Sequence, residues 1–203
     1  DGEVKRICIT KVDGVKMGEE IDPKAYDATK TPQKPQEAPK VYMTDVAIIG
    51  AGIAGENAAR MALGMGANVT IVDININRLR QLDSQYGPHL KTLMSNEYNV
   101  ADVVAAADLV VGSVLIPGAA TPKLVTRPMI AAMRNGSVLV DIAIDQGGCF
   151  EGSRPTTHED PVFDQDGKQM YCVANMPGAV PRTSTVALTN ATLPHRLRRP
   201  RTR

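Results

Sequence analysis

The chain has 203 residues, 43% of them hydrophobic and 22% charged, with a formal net charge of +1. That length holds one full domain with flanks and a sizeable core, while two complete domains would be cramped. The near-neutral balance gives no general pull toward nucleic acid or a membrane surface, so partners must be read from local features.

The chain opens on Asp1 rather than Met, which reads as a processed product or a fragment. Residues 1–44 are polar and carry Pro23, Pro32, Pro35 and Pro39; EVKRICITKV has strand character and the rest reads as a linker or arm. Its lysines are offset by acids, which fits a solvated linker better than a nucleic-acid-binding arm.

From Asp45 the pattern changes. Residues 46–49 are an apolar run suited to a parallel strand buried on both faces, and Gly50, Gly52 and Gly55 follow as G-x-G-x-x-G. In that motif Gly50 permits the tight turn, Gly52 lets backbone N–H groups approach a pyrophosphate, and Gly55 lets helix and sheet pack closely. A helix is predicted from Ala54, with Ala54, Ala58, Met61, Ala62 and Met65 at helical spacing and Gly66 closing it. The pyrophosphate of a dinucleotide would cap its N-terminus. Residues 69–72 make a second strand ending at Asp73, whose carboxylate can accept both hydroxyls of an adenosine ribose and would repel a 2′-phosphate. This favours NAD(H), while Arg78 leaves room for NADP(H). A glycine loop with a terminal acid also serves S-adenosylmethionine sites, which keeps a methyltransferase in view.

Helices and strands then alternate. A helix over 76–86, a strand over 91–94, a helix over 100–107 with Asn99 as its N-cap, and a strand over 108–113 are predicted. A helix over 126–133 and a fifth strand over 137–144 follow, with the turn Asn135-Gly136 between them. Residues 162–173 read as a hairpin about Asp166-Gly167 running into a sixth strand, and a final helix covers 182–193. The fold class is α/β: a three-layer Rossmann doubly wound parallel sheet in the order 3-2-1-4-5-6, with an irregular N-terminal arm. Ligands bind such sheets at the carboxyl ends of the strands, so the loops 114–119, 145–150 and 175–182 should carry function.

Cys8, Cys149 and Cys172 are an odd trio without C-x-x-C spacing, which argues against a disulfide framework or a metal site and suits a reducing cytoplasm. The apolar-rich stretch 100–120 is broken by Asp102, Asp108 and Pro117 and falls short of the roughly 20 apolar residues a membrane helix needs.

The strings GAGIAGENAARMALGMGA, DININRLRQLD, VLIPGAATPKLV, DIAIDQGGCFEGSRPTTHEDP, YCVANMPGAVPRTST and ALTNATLP closely resemble the NAD-binding domain of the bacterial alanine dehydrogenase family. The α subunit of proton-translocating NAD(P) transhydrogenase is the more distant relative. The resemblance covers about residues 45–194. It implies reversible oxidative deamination of L-alanine to pyruvate and ammonium with NAD as cofactor, and a homo-oligomer, commonly a hexamer. By position it puts Ile53 and Ala54 at the pyrophosphate, Asp73 and Arg78 at the adenosine ribose, Ser95 near the adenine end, and Val114 and Leu115 under the cofactor. Ile142, Ala143, Ile144 and Asp145 would line the nicotinamide, Arg154 would contact the cofactor, and Val173, Ala174, Asn175 and Met176 would flank nicotinamide and substrate. Asp145 is the catalytic residue of this set, because a carboxylate beside the nicotinamide can stabilise an iminium and help place the attacking water. The residues alone favour instead an Asp145 that bonds the backbone of the Gly147-Gly148 turn.

In that family an acid-base histidine, and the lysine and arginine that hold the substrate carboxylate, come from a separate N-terminal domain to which residues 1–44 show no match. None of His89, His158 and His195 matches that histidine, and each reads as a solvated surface residue. Beyond Pro194 the family pattern also stops, and Arg196, Arg198, Arg199, Arg201 and Arg203 form a basic tail without the aromatics of a nucleic-acid site. The organisation expected is an arm over 1–44, a cofactor domain over 45–194 and a tail over 195–203, truncated at both ends. Two functions are carried forward. One is alanine dehydrogenase chemistry with this chain supplying the cofactor domain; the other is a non-catalytic NAD(H)-binding or transhydrogenase-like module.

Overall fold

The computed structural model describes residues 11–12, 15–16, 44–116 and 118–197. The chain divides into two units, Asp1–Tyr42 and Met43–Arg203. In the first, β1 (Lys11–Val12) pairs antiparallel with β2 (Val15–Lys16). Most of the arm expected over 1–44, and the arginine tail from residue 198 onward, lie outside the described residues.

The second unit holds β3 (Asp45–Ile49), β4 (Asn68–Asp73), β5 (Leu90–Met94), β6 (Leu109–Gly112), β7 (Val138–Asp141), β8 (Val162–Gln165) and β9 (Lys168–Tyr171). They form one sheet in the order β5-β4-β3-β6-β7-β9-β8. Every pairing is parallel except that of β8 with β9. This is the expected doubly wound order, with β9 as the sixth strand and β8 added at the edge by the hairpin. Because side chains alternate along a strand, β3 feeds two cores. Val46 and Ile48 pack with Val69, Ile71, Leu79 and Leu82 on one face; Ala47 and Ile49 pack with Val72, Val104, Val110 and Ile130 on the other. Each fully buried aliphatic side chain of this kind contributes about 1.5–3 kcal/mol.

Register sets where the loops leave the sheet. Ile49 lies opposite Val72 and Gly112, and Gly112 lies opposite Asp141. The chains leaving β3, β4, β6 and β7 therefore emerge side by side.

Among the described residues, five helices cover the sheet or extend from it: α1 (Ile53–Gly64), α2 (Ile76–Tyr86), α3 (Glu97–Ala106), α4 (Arg127–Ala132) and α5 (Pro181–Leu197). Helix α1 buries only part of the stripe expected, with Ala58 and Ala62 half-buried against the core. Gly55 and Ala59 are its buried residues, whereas Ala54 is exposed and Met61 and Met65 are 62% and 88% exposed. The cause is the glycine motif, since the helix lies so near β3 that only small residues fit beneath it, and size overrides hydrophobicity. Helix α3 starts three residues earlier than expected. Its cap is Asn96, whose side chain accepts from Asn99 N at 2.8 Å, while Asn99 Nδ2 donates to Met94 O. Helix α4 has no side-chain bond from Thr126; Arg127 N donates instead to Glu151 Oε2 at 2.6 Å. Strand β7 ends at Asp141 rather than continuing to 144, and a 3-10 turn runs from Ile142 to Gln146.

Candidate functional site

The glycine turn is held from three sides. Gly50 has φ +105, and a Cβ there would lie 2.9 Å from Ser113 C, so the turn and the end of β6 touch through backbone. The buried Ser113 hydroxyl lies 2.8 Å from Gly50 O and 3.2 Å from Ile49 O, donating across the join. A Cβ on Gly55 would stand 1.9 Å from Gly50 O, so α1 can begin here only with glycine. At Gly52 no described atom lies within 4 Å of where a Cβ would be, so this side of the turn opens to space. Glu56 N makes the first helical bond, to Gly52 O, which leaves the N–H groups before it without an intrahelical acceptor.

Asp73 stands at the end of β4 facing this turn. One carboxylate oxygen accepts Ala51 N at 2.6 Å and the other accepts Asn75 N at 2.7 Å. Two backbone bonds fix the group while leaving lone pairs for further donors. From the same residue, Ala51 O accepts Arg78 Nε at 2.9 Å. Arg78 also pairs with Glu56, whose other oxygen accepts Tyr86 Oη at 3.2 Å. The guanidinium holds the Glu56 carboxyl below the usual carboxylate range, against the opposing effect of burial.

These groups border a cleft of about 940 Å³ at the carboxyl ends of β3, β4, β6 and β7. That is within the range of small-molecule sites. Of the residues singled out from sequence, Gly50, Gly52, Ile53, Ala54, Asp73, Ser95, Val114, Leu115, Ile142 and Ala143 line it. Ile49, Val72, Ile74, Ser113, Ile116, Pro122 and Leu124 line it as well; sequence reasoning missed them because strand-end adjacency decides their place. Gly55 and Ile144 are buried beneath it, and Arg78 lies outside the lining. Arg154 is exposed and stacks its guanidinium 4.3 Å from the Phe163 ring centre, away from the lining. A second hollow, about 850 Å³, lies at the opposite ends of β3, β4 and β5 by Asp45, Asn68 and Leu90. The G-x-G-x-x-G turn is not part of its lining, and ligands of doubly wound sheets bind at the other end.

Past β7 the loop is organised by a carboxylate that sequence reasoning passed over. Asp141 is fully buried and accepts Ala143 N at 3.1 Å, Cys149 N at 3.0 Å, Phe150 N at 3.3 Å and Ser153 Oγ at 2.6 Å. Its backbone bonds lie on either side of the Gly147-Gly148 turn, whose own N–H groups donate to Ile144 O and Ala143 O. Asp145 itself is exposed on the 3-10 turn, and no hydrogen bond ties its carboxylate to another described residue. Burial, with the Asp141 charge behind it, pushes the Cys149 thiol up, and burial does the same at Cys172. Both cysteines are free.

Next to this loop, Val173 is buried, Ala174 and Asn175 are exposed, and Met176 is half-buried at the start of a 3-10 turn. Asn175 adopts φ 58, ψ 50, and its carbonyl oxygen lies 3.1 Å from His158 Nε2. His158 is thus exposed yet tied to the loop after β9, which solvation alone did not anticipate. Among the described residues no group of His, Cys, Asp and Glu could hold a metal ion, and no helix is long and apolar enough to cross a membrane.

The family model for the alanine dehydrogenase/PNT C-terminal domain matches residues 34–199. The chain belongs to that family. It is 58% identical over 160 residues to an alanine dehydrogenase of Mycolicibacterium smegmatis, covering 79% of this chain and 43% of that relative. It is 60% identical over 160 residues to that of Geobacillus stearothermophilus, with 78% and 43% covered. Among solved structures it is similar to an L-alanine dehydrogenase, with a TM-score of 0.71 and 49% identity over 74% of this chain and 42% of that one. A transhydrogenase from Sinorhizobium meliloti matches with a TM-score of 0.63 and 31% identity over 70% and 40%. The chain therefore spans just over two fifths of the curated relatives it matches.

The cofactor of this alanine dehydrogenase/PNT domain is NAD, and the residues fit it. The open side of Gly52, the free N–H groups at the start of α1, and Asp73 facing them are what a pyrophosphate and a ribose diol require.

Proposed function

We propose that this chain is the NAD(H)-binding domain of an alanine dehydrogenase-type oxidoreductase, acting in oxidative deamination of L-alanine to pyruvate and ammonium. The observation that carries the reading is Asp73 bonded to Ala51 N across a glycine turn that opens onto the cleft. In this reading the N–H groups at the start of α1 hold the pyrophosphate, and Asp73 accepts the ribose hydroxyls and fixes the adenosine end. Ser95 borders the adenine, Val114 and Leu115 lie under the cofactor, and Ile142, Ala143 and Ile144 border the nicotinamide. Arg154 and the residues Val173, Ala174, Asn175 and Met176 complete that end when the cofactor is in place. NAD supplies the hydride chemistry when bound. The chain's part is to orient it, exclude water, and place the Asp145 carboxylate where an iminium forms, so that positive charge is stabilised and water is positioned. Asp145 is free of the structural duty that Asp141 performs, which supports a chemical role for it.

The substrate-holding lysine and arginine and the acid-base histidine would come from a further domain, and the assembly would be a hexamer in the cytoplasm. Three cysteines without paired spacing support a reducing compartment. A transhydrogenase-like module has less support, since identity falls from 49% to 31% between the two solved neighbours.

The test is a fluorescence titration of the chain with NADH and NADPH, then an alanine-dependent assay of NADH production in the presence of a relative's N-terminal domain. Selective NADH binding with alanine-dependent production is expected. Binding without production would leave the non-catalytic module standing, and no binding of either nucleotide would refute the cofactor reading.

A further inference from the structure

Arg78 follows Asp73 closely enough in sequence to suggest a partner for a 2′-phosphate, yet every nitrogen of its guanidinium is already engaged. Nε donates to Ala51 O at 2.9 Å, one terminal nitrogen donates to Gln81 Oε1 at 2.7 Å, and the other pairs with Glu56. Glu56 sits in the first turn of α1, directly after Gly55, and its second oxygen is held by Tyr86 Oη at 3.2 Å and Gln85 Nε2 at 3.3 Å. The pair is largely shielded, with side-chain exposures of 22% for Arg78 and 25% for Glu56. One residue separates it from the ribose carboxylate, because Ala51 N donates to Asp73 while Ala51 O accepts from Arg78.

Asp73, Glu56 and Arg78 together carry two carboxylates and one guanidinium. With Glu56 in place a 2′-phosphate would meet a net negative trio, whose guanidinium is committed elsewhere. The geometry points to Glu56 as a second specificity-determining residue: it withholds Arg78 from a 2′-phosphate, so NADP(H) is refused by Asp73 through repulsion and by Glu56 through sequestration. The inference rests on the cofactor reading above. It has a consequence that repulsion by Asp73 alone lacks. Removing Asp73 by itself should not create an NADPH site, because Arg78 stays paired.

The experiment uses the full chain with Asp73→Asn, Glu56→Gln, the two combined, and the combination carrying Arg78→Ala. Dissociation constants for NADH and NADPH are measured on each. Asp73→Asn is expected to weaken NADH with little gain for NADPH. The combined variant is expected to bind NADPH at least about tenfold more tightly than Asp73→Asn, the size of one freed charge-assisted bond to phosphate. Arg78→Ala should abolish that gain. Glu56→Ser replaces Glu56→Gln if the latter does not fold. Equal NADPH affinity in Asp73→Asn and the combined variant, or a gain that survives Arg78→Ala, would overturn the assignment. Failure of the unsubstituted chain to bind NADH would instead refute the cofactor reading, and this inference with it.

Discussion

Replacing Asp141 by asparagine should unsettle the loop that follows β7 more than its small change in shape suggests. One carboxylate oxygen accepts Cys149 N at 3.0 Å, Phe150 N at 3.3 Å and Ser153 Oγ at 2.6 Å; the other accepts Ala143 N at 3.1 Å. Whichever way an amide is turned, its NH2 faces at least one of these backbone N–H groups. That donor loses a bond to a charged acceptor, worth about 1.5–3 kcal/mol, and a buried donor left unmade costs about 1–3 kcal/mol. Removing a buried charge returns part of this, because its desolvation no longer opposes folding. The net expected loss is about 2–4 kcal/mol, a large share of the roughly 5–15 kcal/mol that holds a domain together. Urea unfolding followed by circular dichroism reads the loss directly. NADH affinity, measured well below the unfolding midpoint, should fall severalfold because Ile142 and Ala143 line the cleft. A loss below about 0.5 kcal/mol would show that the carboxylate's charge is not what orders the loop.

Two further perturbations separate packing from binding. Gly55→Ala puts a methyl carbon 1.9 Å from Gly50 O and 2.6 Å from Ser113 Oγ, so it should cost about 1–3 kcal/mol and lower the melting temperature. Gly52→Ala meets nothing within 4 Å and should leave the melting temperature nearly unchanged while weakening NADH, and the reverse pattern would refute the placement of the pyrophosphate. The Glu56 carboxyl is held below its ordinary value in the folded chain, first by the Arg78 bond. Its contribution is therefore full above the unfolded value near 4.5 and fades as pH falls through the lower folded value. The stability difference between the chain and Glu56→Gln, followed by denaturant melts from pH 7 to pH 3, should shrink below about pH 4.5.

The unit from Asp45 to Asp73 was legible because its signals are local: an apolar run, three glycines at fixed spacing, a helix and a terminal acid. The order of strands followed from alternation, and the Asp166-Gly167 hairpin from turn chemistry. What escaped reading depends on distant parts of the chain. Asp141 reads as part of a strand and Asp145 as a loop acid, and only the backbone donors at 143, 149 and 150 show that the first of them orders the loop. Asn96 and Asn99 are equally good caps by composition, and the end of β5 chooses between them. Arg78 leaves room for a 2′-phosphate until Glu56, in another helix, is brought against it. Part of the inward face of α1 was misread, because hydrophobic spacing favours Met61 and Met65, whereas the close approach at Gly55 and Ala59 leaves room only for small residues.

The shared exit level of β3, β4, β6 and β7 divides the chain into two kinds of position. Substitutions below that level act on the sheet as a whole, because each strand residue is wedged between neighbours on two sides and helices above and below. Substitutions just past it act on one wall of the cleft at a time. Ligand preference can therefore drift loop by loop while the scaffold stays as it is, and the scaffold can be strengthened without retuning what it holds.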